Sequence, residues 1–102
     1  MSAQDYDREA LENFFSAYFH EDWPCEAPTP VGVVENYLRS AKATEVARLR
    51  SAILRYAEKE SDNAALERKL LTELGCYYRP SADGHTAKNW LHDLAALMEK
   101  TN

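Results

Sequence analysis

Four side chains that could bind a metal lie close together near residue 20, so a metal site is the first chemistry to consider. These potential ligands are His20, Glu21, Asp22 and Cys25, and the other two histidines come after residue 80. A structural zinc site needs four ligands, usually arranged as two close pairs, and the sequence contains neither Cys-x-x-Cys nor His-Glu-x-x-His. A cluster with this spacing is more typical of a helix end. We therefore expect no metal and no other cofactor.

Nucleophilic catalysis would need an activated cysteine. Cys25 or Cys76 could in principle pair with a histidine as thiolate and imidazolium. Cys76, however, follows the expected C-terminus of a helix, where the helix dipole disfavours a thiolate, and it is better interpreted as a small buried hydrophobe. The three glycines are too dispersed to form a phosphate-binding loop. The sequence therefore predicts no enzymatic activity.

A row of basic residues raises the question of nucleic-acid binding. Arg48, Arg55 and Lys59 are spaced to share one helix face that could contact a phosphate backbone. Glu45 and Glu58 interrupt this row, and the pI of about 5.1 lies far below the value above roughly 9 that is typical of basic binding domains. We expect a solvated helix face and no nucleic-acid partner.

Negative charge is concentrated in the first third of the chain. Residues 1–35 contain eight acids and one base, a net charge of −7, whereas residues 36–102 carry +2, which together give −5. Such an acidic region would repel nucleic acid and anionic membranes and attract a basic partner. The alternative, that these acids form an ordinary solvated helix face, stays open.

Three aromatic residues fall outside the apolar stripes. Trp23, Tyr77 and Tyr78 are expected in loops, next to acidic residues. Loop aromatics suit a protein-binding surface, because they provide contact area at a low entropy cost. Alternatively, these rings close the ends of a helical bundle.

Apolar spacing predicts the elements that must position these residues. A first helix carries a stripe of five apolar side chains: Leu11, Phe14, Phe15, Tyr18 and Phe19. Trp23-Pro24 is expected to end it, and residues 24–29 to form a loop. Thr29 and Pro30 then resemble the cap and first residue of a second helix. That helix would bury Val31, Val34, Tyr37, Leu38 and Ala41, although residues 31–34 could be extended instead.

Three further helices are predicted in the rest of the chain. One begins at Thr44, another is capped near Asp62 and ends at Gly75, and the last is capped by Thr86. Residues 76–84 between the last two contain turn-forming residues and are expected to be a loop. No strand alternation is present. We predict one all-α domain spanning residues 1–102, a compact bundle of about five helices.

The length and cysteine content set the expected cellular context. A chain of 102 residues fits one domain. No apolar run approaches the roughly 18 residues that a membrane-spanning helix requires. The first residues lack the basic and apolar blocks of a secretion signal, and two cysteines do not suggest a disulfide framework. We therefore expect a reduced cytoplasmic protein without membrane contact, assumed to be monomeric.

Two stretches of sequence carry a more specific signal. Tyr18-Phe19-His20-Glu21-Asp22-Trp23 ends the first helix, and Glu73-Leu74-Gly75-Cys76-Tyr77-Tyr78-Arg79-Pro80 is followed by Asp83-Gly84 and Trp90-Leu91. In this order and at this spacing, these motifs resemble a family of small immunity proteins from bacterial contact-dependent growth inhibition systems. The resemblance covers nearly the whole chain.

This resemblance implies a role. The expected partner is the toxic C-terminal domain of a large exported effector, often a nuclease, which the immunity protein binds and neutralises in the cytoplasm. We expect the partner-binding residues to be acids that supply charge and aromatics that act as anchors: Glu21, Asp22, Glu26 and Asp83, with Trp23, Tyr77 and Tyr78. A generic helical interaction or regulatory module is the alternative.

Overall fold

The computed structural model describes residues 3–99, and for residues 3–6 and Glu26 it describes the backbone alone. Six α-helices and one 3₁₀ turn, with no strand, occupy this part of the chain. The helices are α1 (Ala3–Tyr18), α2 (Trp23–Glu26), α3 (Pro30–Ser40), α4 (Ala43–Lys59), α5 (Asn63–Leu74) and α6 (Ala87–Glu99), and the 3₁₀ turn is Pro80–Asp83. The predicted all-α class is confirmed.

Side-chain caps begin three of the helices at the predicted positions. The Thr29 hydroxyl accepts a hydrogen bond from the Gly32 N–H at 3.1 Å, and Asp62 accepts one from the Ala64 N–H at 3.0 Å. The Thr86 hydroxyl likewise accepts the Asn89 N–H at 3.2 Å. Each cap satisfies an N–H group that the first turn of a helix leaves without a backbone partner.

Two predictions were wrong around the end of α1. The first helix was expected to end at Trp23-Pro24, but it ends at Tyr18. Residues 24–29 were expected to be a loop, but Trp23–Glu26 forms one helical turn. The Cys25 N–H bonds to the Asp22 carbonyl at 3.0 Å, and the Ala27 N–H bonds to the Trp23 carbonyl at 3.3 Å. Proline fits this turn because the first residues of a helix have no intrahelical acceptor for their N–H groups.

The buried face of α3 also differs from the prediction. Residues 31–34 are helical rather than extended, and Val31 is 48% exposed whereas Val33 is buried. With 3.6 residues per turn, Val31 lies about 90° around the helix from the centre of the stripe that includes Val33, Val34 and Tyr37. Val31 is therefore at the edge of the helix face that meets the core.

The core lies where α4 packs against both α1 and α6. Its buried side chains include Phe15 on α1, Ile53 on α4 and Leu91 on α6, none of which has exposed surface. Small buried residues such as Ala52 and Ala57 let the helices approach closely. None of the helices within residues 3–99 has the length and apolar character needed to cross a membrane.

Candidate functional site

A backbone hydrogen bond joins the two sequence stretches that contain the predicted site. The Tyr77 N–H donates to the Phe19 carbonyl over 2.8 Å, although 58 positions separate these residues in the chain. Gly75 makes the approach possible, because it ends α5 in the left-handed region with φ of 70°. The chain therefore reverses after Leu74 and runs beside the end of α1.

Packed aromatic rings close this end of the bundle. The centroid of the Tyr78 ring lies 5.6 Å from that of Trp23 and 4.8 Å from that of Trp90. The ring centroids of Trp90 and Phe19 are 5.4 Å apart. Tyr78 is 6% exposed and belongs to the core, so the expectation that it lies outside the core was wrong. Sequence periodicity could not place it there, since it belongs to no helix. Trp23 is half-buried against the same core, as the alternative interpretation of these rings expected.

Tyr78 also positions Asp83. The Tyr78 hydroxyl donates to an Asp83 carboxylate oxygen at 2.6 Å. Burial raises the pKa of Tyr78 above its ordinary value, and the bond to Asp83 raises it further, so the phenol remains a donor. Glu67 holds the same 3₁₀ turn by accepting the backbone N–H and the hydroxyl of Ser81, each at 2.9 Å. Asp83 is thus fixed on a turn that is tied to α5.

The remaining predicted residues are accessible around these rings. Glu21, Asp22 and Asp83 are exposed, and Tyr77 is 51% exposed. The Asp22 N–H bonds to Nδ1 of His20 at 3.0 Å, while the Asp22 carboxylate makes no capping bond to α2. We call Glu21, Asp22, Trp23, Tyr77 and Asp83 the bundle-end surface. The side chain of Glu26, which was also predicted here, lies outside the described part of the structure.

The structure also contains a groove that the sequence analysis did not identify. It has a volume of about 540 Å³ and lies between α1, α3 and α4, where Phe14 and Leu49 are buried and Tyr18 and Tyr37 are half-buried. Periodicity had assigned both tyrosines to the core. A signal was present, because their hydroxyl groups favour the edge of an apolar stripe over its centre.

The residues considered for other chemistry have ordinary structural roles. Cys76 is 1% exposed, and burial raises the pKa of its thiol to about 12, so the thiol is neutral. Within residues 3–99, no three histidine, cysteine or acidic residues are grouped so that they could hold a metal ion. Arg55, from the basic row on α4, makes two hydrogen bonds to the Asp7 carboxylate. Its charge is therefore partly neutralised within the fold.

The described residues therefore form a small helical domain in which Glu21, Asp22, Tyr77 and Asp83 are exposed. The model of the CdiI immunity protein family matches residues 7–98, and the chain belongs to this family. Membership supports an immunity role against toxins of contact-dependent growth inhibition. It also implies that the partner is a cognate toxin protein. Immunity protein families are generally non-enzymatic. The resemblance found in the sequence is confirmed. Searches of curated proteins and of solved structures returned no match.

Proposed function

We propose that this protein binds and neutralises the C-terminal nuclease domain of a contact-dependent growth inhibition effector through the bundle-end surface. Neutralisation takes place in the cytoplasm of the protected cell, and the immunity protein acts as a monomer. The supporting observation is that the two distant stretches that contain these residues are joined: the Tyr77 N–H binds the Phe19 carbonyl, and Tyr78, which binds Asp83, packs its ring near that of Trp23. The family membership supports the choice of partner.

Charge complementarity favours a basic partner. A nuclease domain is commonly basic where it meets its nucleic acid, and the first 35 residues of this chain carry a net charge of −7. Opposite charges across an interface mainly raise the association rate and select the partner, whereas buried anchors slow dissociation. In this proposal Glu21 and Asp22 raise the association rate, and Tyr77 and Trp23 slow dissociation.

The partner can be tested in living cells. We expect the gene of a large exported effector to lie directly upstream of this chain's gene, and the C-terminal domain of that effector is the candidate. Co-expression is expected to restore the growth of cells that make this domain, and a pull-down of the purified proteins is expected to recover a stable complex. In vitro, an equimolar amount of this protein should stop cleavage of tRNA or duplex substrates by the domain. Growth arrest that persists despite good expression of both proteins would reject the proposal.

The acidic part of the bundle-end surface can be tested by association kinetics. Replacing Glu21, Asp22 and Glu26 with Gln, Asn and Gln is expected to slow association about tenfold at low salt and to flatten its salt dependence. The matched control neutralises three other acids: Glu35→Gln, Asp93→Asn and Glu99→Gln. Equal rates for the two triple variants in stopped-flow experiments would show that only the net charge matters, and the acidic site would be wrong.

The aromatic part can be tested by dissociation kinetics. Tyr77→Ala removes a half-exposed ring and is expected to raise the dissociation rate by about 30-fold, the size of effect that defines an interface anchor. Tyr77→Phe keeps the ring and is expected to stay within about threefold of the wild type. Surface plasmon resonance measures both. A dissociation rate for Tyr77→Ala equal to that of the wild type would remove Tyr77 from the proposed surface.

A further inference from the structure

The groove between α1, α3 and α4 has aromatic walls that remain partly accessible. The rings of Tyr18 and Tyr37 lie 5.3 Å apart and nearly perpendicular, at 79°, and the Phe14 ring lies 4.9 Å from that of Tyr37. Phe14 is buried, whereas both tyrosines are half-buried. The volume of about 540 Å³ lies within the range of roughly 300–1,000 Å³ that ligand sites usually occupy. The groove can therefore accept a side chain.

Two carboxylates stand at the groove on opposite helices. Glu9 on α1 and Glu45 on α4 both line it and are exposed, and neither makes an ion pair with any other described side chain. Arg48 is the one cationic residue of the lining, so the lining carries a net charge of −1. Burial raises the pKa of Tyr37, and the charge of Glu45 raises it further, so the field of that carboxylate reaches into the groove.

We propose that this groove receives an arginine side chain of the protein partner, whose guanidinium stacks on the ring of Tyr18 or Tyr37 and pairs with Glu9 and Glu45. The inference deepens the proposed function, on which it rests, by adding a second contact site for the same partner. Tyr18 lines the groove, and the next residue, Phe19, binds the Tyr77 N–H through its carbonyl. The groove and the bundle-end surface therefore both include residues from the C-terminal end of α1, and in this proposal one partner contacts both.

The chemistry of the lining favours arginine over lysine and over an anion. Guanidinium is planar, weakly hydrated and able to stack on an aromatic face while its N–H groups bind carboxylates. An ammonium group is a compact and strongly hydrated charge that gains less from an aromatic wall. An anion would be attracted by Arg48 alone and repelled by two carboxylates. Arginine is also enriched among the side chains that dominate interface binding energy.

The chemistry of the groove can be tested without the partner. L-Arginine amide is titrated into the ¹⁵N-labelled protein, with L-citrulline amide as the matched probe that lacks the guanidinium charge. Arginine amide at millimolar concentrations is expected to cause saturable chemical-shift changes at Tyr18, Tyr37 and Glu45. The shift changes caused by citrulline amide at the same concentrations are expected to be at least fivefold smaller. The variant Glu9→Gln/Glu45→Gln should lose this response, whereas Glu35→Gln/Asp93→Asn, with the same change in net charge, should keep it. The absence of saturable shifts, or equal shifts with both probes, would overturn the proposal.

Binding of the effector domain provides the second test. The Glu9→Gln/Glu45→Gln variant is expected to raise the Kd at least tenfold, and Glu35→Gln/Asp93→Asn is expected to change it less than threefold. Wild-type affinity in the groove variant would overturn the groove proposal while leaving the proposed function intact. Failure of the wild-type protein to bind the effector domain would reject the proposed function. In that case the arginine titration would still show whether the groove binds a guanidinium group. If dilution of the protein alone shifts the same resonances, the occupant is a second copy and the proposal is wrong.

Discussion

Asp7 is the one charged residue that is buried among the described side chains, and a single contact accounts for it. It is 6% exposed and accepts two hydrogen bonds from the Arg55 guanidinium, one of them 2.8 Å from Nη2 to Oδ1. This paired geometry ties α1 to α4. The hydrogen bond from Arg55 lowers the pKa of Asp7 below its ordinary value of 3.8 and outweighs the opposing effect of burial.

The two partners of this ion pair are expected to differ in their effect on stability. Arg55→Ala leaves a buried carboxylate without its counter-ion, and we expect a loss of about 2–3 kcal/mol, less than for a fully buried pair because the Arg55 side chain is 54% exposed. Asp7→Asn leaves an arginine that water can solvate, at a cost of about 1 kcal/mol. Urea denaturation at pH 7 measures both. A larger loss in Asp7→Asn would contradict this explanation.

The same pair predicts how stability depends on pH. The pKa of Asp7 is lower in the folded protein than in the unfolded protein, where it has its ordinary value of 3.8. The stabilisation that the ionised Asp7 provides is therefore present above pH 3.8, and it is lost as the pH falls through the lower pKa of the folded protein. The difference in unfolding free energy between wild type and Asp7→Asn should therefore be constant near neutrality and shrink as the pH falls from about 4 to more acidic values. Urea midpoints measured across this range test the sign. A difference that grows on acidification would refute it.

The two cysteines are expected to react at very different rates. Cys25 is exposed, whereas Cys76 is buried and burial raises its thiol pKa to about 12. Treatment of the native protein with Ellman's reagent should therefore modify one thiol rapidly, and the second only after denaturation. Cys25→Ser serves as the control and should show no rapid reaction. Two rapidly reacting thiols in the native protein would mean that the segment after α5 is open in solution.

At the scale of elements, the end of α5 determines whether the bundle-end surface forms. Gly75 has φ of 70°, and the next N–H, that of Cys76, bonds to the Leu70 carbonyl at 2.9 Å. A glycine in the left-handed region is a common way for a helix to end. It directs the chain back towards Phe19, so the placement of Tyr77 and Tyr78 depends on the conformation of one glycine.

Substitution of Gly75 is expected to be costly because of its backbone. A Cβ atom there would lie 3.4 Å from the Cβ of Ser16, an ordinary contact, so the cost comes from the left-handed conformation. We expect Gly75→Ala to lose about 1–2 kcal/mol of unfolding free energy, and Gly75→Asn to lose less because asparagine tolerates this region better. Chemical denaturation compares the two variants. Equal losses would point to the side-chain contact instead.

At the scale of the whole molecule, Phe19 connects the core to the bundle-end surface. It has no exposed surface, its ring packs near those of Trp23, Tyr78 and Trp90, and its carbonyl binds the Tyr77 N–H. The side chain therefore links four separate parts of the chain. This arrangement makes the shape of the bundle-end surface dependent on core packing.

Truncating Phe19 is accordingly expected to affect stability and binding together. Phe19→Ala should cost about 3–5 kcal/mol of unfolding free energy and weaken the near-ultraviolet circular dichroism of the packed tryptophans. Ala17→Ser, an exposed change in the last turn of α1, should cost less than about 1 kcal/mol and leave the spectrum unchanged. Denaturation and circular dichroism measure these effects. A Phe19→Ala variant with wild-type stability would show that this end of the bundle is not packed as described.

The sequence by itself determined the five longer helices and most of their boundaries, but not the single turn α2. Apolar residues at helical spacing encode the stripes of α1, α4, α5 and α6, and Thr29, Asp62, Gly75 and Thr86 act through hydrogen bonds or conformations within a few residues of their own position. Such local interactions are visible in a linear pattern. The motifs that identified the family are also linear, which is why the resemblance could be found before the structure.

Tertiary structure alone decided which residues share a surface. The burial of Tyr78 and the groove between α1, α3 and α4 depend on contacts between residues that are far apart in the chain. Tyr77 meets Phe19 because a helix of the right length ends at Gly75 beside α1. Periodicity reports how one helix divides into faces, whereas the packing of several helices determines which part of each face remains open to a partner.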